Sequence, residues 1–236
     1  MDKDNIRVYP DSDSLAQAAA THFAEQAAEA IATRGRFIVA LAGGTTPRLT
    51  YTLLASWSFA TRVDWLRVHL FWGDERCVPP EHRDSNYRMV REALLGKAPI
   101  PSANVHRIQS ELDPAWAAMA YESELETLLG SEGRFDLILL GMGPDGHTAS
   151  LFPGTAALEE QTRWVVENYV EKLNTCRITL TLPIINKARQ VTFLVSGTSK
   201  AAPLARIQAG EPLPAGLIQP TEGQLTWLVD QQASHS

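Results

Sequence analysis

Short apolar runs that end at a glycine recur along this chain, and they constrain its fold more than any other feature. Phe37–Ala42 stops at Gly43, Val68–Trp72 stops at Gly73, and Phe135–Gly141 closes on its own glycine. Runs this short and this uniformly apolar are the pattern of strands buried on both faces. Helical spacing fills the intervals. From about Ser14 to Arg34 the positions Leu15, Ala19, His22, Phe23, Ala27, Ala30 and Ile31 form one stripe, and Gly35 supplies a stop. His22 on that stripe is read as structural.

Further helices are predicted from Pro47 through Leu54 with Thr46 as cap, over Ser85–Leu95, from Asp113-Pro114 to near Gly130, and over Lys200–Ile207. Later strands are predicted at Trp164–Tyr169, Arg177–Leu182, Val191–Ser196 and Leu225–Val229. Strands alternating with helices predict the α/β class, a mostly parallel open sheet flanked by helices. Arg163–Leu182, with two strands close together, reads as an antiparallel excursion. No repeat, low-complexity tract or linker divides the 236 residues, so one α/β domain over 1–236 is expected.

In such sheets ligands bind outside the carboxyl ends of the strands, so the residues after each run are the candidates for chemistry. After the third run comes Gly141-Met142-Gly143-Pro144-Asp145-Gly146-His147. His147 sits in a glycine-rich loop, where an imidazole with a pKa near neutrality can take a proton from water. Asp145, two residues away, could hold the ring and stabilise the imidazolium. A metal site is the rival reading, but the remaining histidines, His22, His69, His82, His106 and His235, show no ligand spacing. No metal or cofactor is expected, and no Gly-x-Ser-x-Gly elbow accompanies the histidine.

Gly43-Gly44-Thr45-Thr46-Pro47 joins a strand to a helix and reads either as a phosphate cradle or as a tight turn. It lacks the spacing of the dinucleotide fingerprint and the Lys of a P-loop. Gly73-Asp74-Glu75-Arg76 also follows a strand end. Its carboxylates could hold a histidine or a hydroxyl, its Arg could take an anion, or the segment could be a solvated charged turn. Cys77 beside it is read as inert. Arg76, Lys172, Arg177 and Lys200 all fall near strand ends, an argument for an anionic substrate.

The formal charge of −6 argues against a nucleic-acid surface but not against a locally basic cleft. No stretch approaches the roughly 18 apolar residues of a membrane span. The N-terminus, Met1-Asp2-Lys3-Asp4-Asn5, is polar, and the two cysteines, Cys77 and Cys176, have no disulfide-framework density. A cytoplasmic protein without membrane or nucleic-acid partners is expected.

These segments, in this order, resemble the 6-phosphogluconolactonase family, within the wider group that includes glucosamine-6-phosphate deaminase. The resemblance rests on Ala42-Gly43-Gly44-Thr45-Thr46-Pro47, Gly73-Asp74-Glu75-Arg76 with Asp84-Ser85-Asn86-Tyr87, and Gly141 through Pro153 ending Ser150-Leu151-Phe152-Pro153. It continues through Arg177-Ile178-Thr179-Leu180-Thr181-Leu182-Pro183 and Gly197-Thr198-Ser199-Lys200-Ala201. It implies a modified Rossmann-like fold and cofactor-free hydrolysis of 6-phosphogluconolactone in the oxidative pentose phosphate pathway. His147 would be the base that activates water, and Asp145 or Asp74 would orient its ring. Arg76, Lys172 and Arg177 would bind phosphate or sugar oxygens, with Gly43, Gly44, Thr45, Thr46 and Lys200 contributing.

The family often carries a proline-rich stretch before its Arg-Ile-Thr strand. Here Lys172-Leu173-Asn174-Thr175-Cys176 stands in its place. Two other functions on the same resemblance are an amino-sugar-phosphate deaminase and a non-catalytic sugar-phosphate sensor. The deaminases typically follow their Gly-His pair with an Ala-Phe-Asn-Glu-Pro-like segment, which this chain lacks. The sensors usually carry an attached DNA-binding segment.

Overall fold

The apolar runs become the strands of the larger of two sheets. In the computed structural model, which describes residues 5–234, the chain opens with β1 (Ile6–Tyr9), α1 (Ser12–Arg34), β2 (Phe37–Leu41) and α2 (Thr45–Leu54). It continues through α3 (Trp57–Ala60), β3 (Val68–Trp72), β4 (Asp74–Arg76), α4 (Asn86–Val90), α5 (Pro114–Leu129) and β5 (Leu137–Leu140). Then come β6 (Val165–Val170), β7 (Thr175–Leu180), α6 (Leu182–Ile185), β8 (Gln190–Val195), α7 (Ala201–Gln208), β9 (Gln224–Asp230) and α8 (Gln231–Ser234). The polar residues 1–4 and His235 lie outside the described residues.

Six strands form an all-parallel sheet in the order β1-β9-β8-β5-β2-β3. From β2 the chain runs outward to β3, then returns to place β5 on the other side of β2. That reversal makes the β2–β5 boundary the topological switch point, where the crevice at the strand ends opens. Helix cover on both faces explains why β2, β5 and β8 are buried at every position. The second sheet, β4-β7-β6, is antiparallel and includes the predicted excursion.

Alanine-rich α1 lies close to the sheet, burying Ala16, Ala19, Ala20, Ala24, Ala27 and Ala30 beside Leu15 and Phe23. Asp11 caps it by accepting from the Ser14 N–H, and Gly35 ends it in the left-handed region at φ 78°. The ring of His22 meets Thr192 Oγ1 of β8 at 3.1 Å, consistent with its structural reading. Buried Asp136 ties three elements together: it accepts from Arg34 Nε at 2.7 Å and from the Ile38 N–H at 2.8 Å. Each large core side chain buried here stabilises the fold by about 1.5–3 kcal/mol.

Three local expectations need correction. Thr46 does not cap α2, because the helix already begins at Thr45, with Gly44 at the cap position at φ 101°. Asp74–Arg76 is a strand, not a free charged turn, because β7 pairs with it. The Ser85–Leu95 helix is α-helical only to Val90 and continues as a π-helical stretch, Arg91–Leu95. Strand β1 has no counterpart in the sequence reading.

Candidate active site

Residues 141–147 leave the end of β5 and fold back on themselves. The Gly143 N–H donates to the His147 carbonyl at 2.8 Å, and the Gly146 N–H donates to the Gly143 carbonyl at 3.0 Å. Gly146 takes φ 80°. Gly143 lies so close to the imidazole that an added Cβ would come within 2.0 Å of His147 Cε1. Thr148 Oγ1 closes the loop onto the Gly141 carbonyl at 2.8 Å. The glycines are thus what allow the histidine ring to lie over its own loop.

The ring stacks on Phe152 with centroids 4.0 Å apart. Its Nδ1 meets Asp145 Oδ1 at 2.5 Å, and Asp145 Oδ2 accepts from Lys172 Nζ. Burial favours the neutral acid of Asp145, but hydrogen bonds from Lys172 and His147 outweigh it and hold this carboxyl well below its usual range. An ionised carboxylate can only accept, so Nδ1 carries the ring proton and Nε2 keeps its lone pair. For His147 burial is the strongest influence and lowers the pKa, against the opposing hydrogen bond and charge of Asp145. A neutral imidazole at pH 7 follows.

His147 lines a cleft of about 230 Å³ at the switch point, between the turns after β2 and β5. Gly43, Gly44, Asp74, Arg76, Asn86 and Lys200 share its wall. The turn after β2 is pinned by Tyr51, whose hydroxyl bonds to both the N–H and the carbonyl of Ala42. Gly43 has no room for a side chain, since a Cβ there would meet Asn86 Oδ1 at 1.9 Å. Thr45 and Thr46 form the first turn of α2 outside the cleft lining, so this end of the site presents backbone more than hydroxyls.

Asp74 does not hydrogen-bond to the ring. It accepts from Ser150 Oγ at 2.7 Å and from Asn86 Nδ2, facing the same cleft as His147. Its neighbour Glu75 points the other way and is buried. Glu75 accepts from the N–H groups of Arg76, Asn86 and Tyr87, each at 2.8 Å. Burial raises its pKa despite those donors. By gripping the start of α4, Glu75 holds Asn86 against Gly43.

The basic residues divide. Arg76 and Arg177 are directly paired across β4 and β7 and share an adjoining cavity of about 360 Å³. Arg76 belongs to both cavities. Arg177 Nε is buried without a protein partner, and burial followed by the charge of Arg76 lowers its pKa. Two guanidinium groups this close repel unless an anion lies between them. Lys200 lines the histidine cleft, where burial lowers its pKa against the attraction of Asp145. Lys172 lines neither cavity; its ammonium is engaged by Asp145 and lies 4.7 Å from the Phe152 ring centre.

The sequence reading missed Asn86 as a cleft residue and Ser150 as the donor that holds Asp74. Asn86 Oδ1 is buried without a partner and is the clearer omission. Its available signal was the Ser85 cap, which marks where a helix starts beside Glu75. Among the described residues, no three His, Cys, Asp or Glu side chains gather into a group that could hold a metal ion. No helix among them is long and apolar enough to cross a membrane. A larger cavity, about 450 Å³, opens at the opposite ends of the strands around Leu225 and Trp227; its one carboxylate, Glu211, is paired with Arg206.

Residues 10–227 match the family described as glucosamine-6-phosphate isomerases/6-phosphogluconolactonase. A 6-phosphogluconolactonase of Synechocystis sp. is 46% identical over 217 residues, covering 88% of each chain. One from Nostoc sp. is 40% identical over 98% of this chain and 97% of its own. The crystal structure of 6-phosphogluconolactonase from Thermotoga maritima superposes with a TM-score of 0.85 at 32% identity, over 96% of this chain and 99% of that one. With a parallel sheet open at its switch point and a histidine loop at that opening, matched along nearly its whole length, the chain belongs to the glucosamine-6-phosphate isomerase/6-phosphogluconolactonase family.

Proposed function

We propose that the chain hydrolyses 6-phospho-D-glucono-1,5-lactone to 6-phosphogluconate, the lactonase step of the oxidative pentose phosphate pathway, with His147 as general base. The observation that carries the chemical assignment is the orientation of His147. With Asp145 on Nδ1, the basic Nε2 is the ring atom free to act at the cleft. A δ-lactone is an activated ester, so positioning, one base and oxyanion stabilisation suffice for turnover.

Nε2 takes a proton from water as the oxygen attacks the lactone carbonyl carbon. The tetrahedral oxyanion is stabilised by N–H groups of the Gly43–Gly44 turn, which lines the cleft. As the ring C–O bond breaks, the imidazolium returns its proton to the leaving alkoxide, which becomes the sugar hydroxyl. Asp145 stabilises the imidazolium between those steps, and Lys172 keeps Asp145 ionised and in place. Arg76 and Arg177 bind the phosphate, whose charge relieves their mutual repulsion. Lys200 contributes positive potential on the histidine side, and Asp74, held by Ser150 and Asn86, receives sugar hydroxyls.

Hydrolysis of freshly prepared 6-phosphogluconolactone, corrected for spontaneous ring opening, tests the reaction. Ammonia release from glucosamine 6-phosphate tests the family's other chemistry. Lactone turnover without ammonia release is expected. Ammonia release without lactone turnover would replace this reading with the deaminase.

A further inference from the structure

Two thiols lie beneath the arginine pair. Arg76 opposite Arg177 is the last pair of the β4–β7 ladder, and Cys77, the residue that follows, lies beside Cys176 of β7. The Cys77 N–H donates to the Cys176 carbonyl at 3.3 Å, one of the two bonds that a hydrogen-bonded antiparallel pair exchanges. Both cysteines are free and half-buried, and the Cys176 thiol donates to the Arg177 carbonyl at 3.6 Å. Directly opposed residues of such a pair have Cα atoms about 5.5 Å apart, inside the roughly 4.4–6.8 Å that a disulfide spans. Their Cβ atoms, about 4.5–5.5 Å apart, must close to about 3.8 Å for the bond to form. Closing that gap distorts both strands locally, and strained disulfides are the readily reduced ones.

Strand alternation puts the two thiols on the face opposite Arg76 and Arg177, together with Glu75. Glu75 grips the start of α4 and thereby Asn86. A bond drawn tight on that face therefore pulls on the arginine pair and on the Asn86 side of the cleft together. We propose that Cys77 and Cys176 are an oxidative modification site, forming a reversible disulfide across β4 and β7 that re-aims the arginine pair. The bond itself is independent of the proposed reaction; only its effect on lactone binding rests on that reading.

The oxidant is a small-molecule disulfide such as oxidised glutathione. Burial, followed by the adjacent thiol, raises the pKa of Cys77, so the first attack falls to Cys176. The Cys176 thiolate attacks one sulfur of the oxidant, whose S–S bond breaks and releases one thiolate. The Cys77 sulfur, losing its proton to solvent, then attacks the Cys176 sulfur and releases the second. Two protein thiols lose two electrons and two protons, and the oxidant is reduced to two thiols.

The reduced full-length protein is incubated with oxidised glutathione, quenched with acid and mapped by peptide mass spectrometry, with Cys77→Ser and Cys176→Ser as controls. A Cys77–Cys176 linked peptide is expected, two hydrogens lighter than the free peptides together and restored by a dithiol. Cys77→Ser should instead retain a glutathione adduct on Cys176. The oxidised wild type should show a several-fold higher KM for 6-phosphogluconolactone with a smaller change in kcat, reversed on reduction and absent from both serine variants. Thiols that stay free, or glutathione adducts on both wild-type cysteines, would overturn the disulfide whatever the enzyme's substrate. A linked peptide with unchanged KM would overturn its coupling to the arginines.

Discussion

In the parallel sheet, β2, β5 and β8 are buried along their whole length, whereas β4 and β7 of the small sheet turn Asp74, Arg76 and Arg177 toward the ligand cavities. The parallel sheet contributes position: its strand ends hold Gly43 and the His147 loop at fixed separation, and almost nothing from its strands touches the cleft. The antiparallel sheet contributes charge, on strands whose like-charged neighbours Arg76 and Arg177 would not pair well without an anion between them. In this account, then, chemistry belongs to the turns of the large sheet and substrate affinity to the side chains of the small one.

That division fails or sharpens on kinetics. The largest effect is expected from His147→Ala, which removes the base and should lower kcat on the order of 10²–10⁴-fold with KM little changed. Steady-state lactone hydrolysis measures it, and an equal rise in KM would mean that the histidine binds substrate as well. Asp145→Asn should cost less, on the order of 10²-fold in kcat, because an amide can hold the ring but not its cation. A rate that held in this variant would remove Asp145 from the mechanism.

On the other side of the comparison, Arg177→Ala should raise KM about ten- to hundredfold, the range for losing a hydrogen bond to a charged group of about 1.5–3 kcal/mol. Its kcat should be nearly preserved, and a parallel fall in kcat would break the assignment of affinity to the small sheet. The smallest catalytic effect belongs to Asp136→Asn, at the buried opposite end of β5. Exchanging that carboxylate beside Arg34 for an amide should cost about 1–3 kcal/mol of stability in urea unfolding. The kcat of the folded variant should match wild type.

The same contrast governs what the sequence made legible. Runs such as Phe37–Leu41 could be read because a strand buried on both faces has no polar alternation to confuse with anything else. β4 could not, since Asp-Glu-Arg is poor strand material and becomes a strand only where β7 pairs with it. β1, four residues long with no fully buried position, lacks the signal altogether.

Within the site, Asp145 was legible as a ring partner because it is two residues from His147. Its sequence rival Asp74 could be separated from it only by the fold, which turns Asp74 to Ser150 and Asn86. Asn86 lies 43 residues from the Gly43 it packs against, a contact no local pattern announces. The engagement of Lys172 by Asp145 was hidden for the same reason.

The central claim is that a neutral His147, kept so by burial, takes the proton from water. The most direct test is the pH dependence of kcat/KM for 6-phosphogluconolactone, wild type beside His147→Ala, with spontaneous hydrolysis subtracted at each pH. Burial lowers the pKa of His147 from 6.5, so activity should be level at neutral pH and fall as acidification below pH 6.5 protonates the ring. The residual rate of the variant should lack that limb. An acid limb that persists unchanged in His147→Ala, or a wild-type rate that rises as the ring is protonated, would contradict the account.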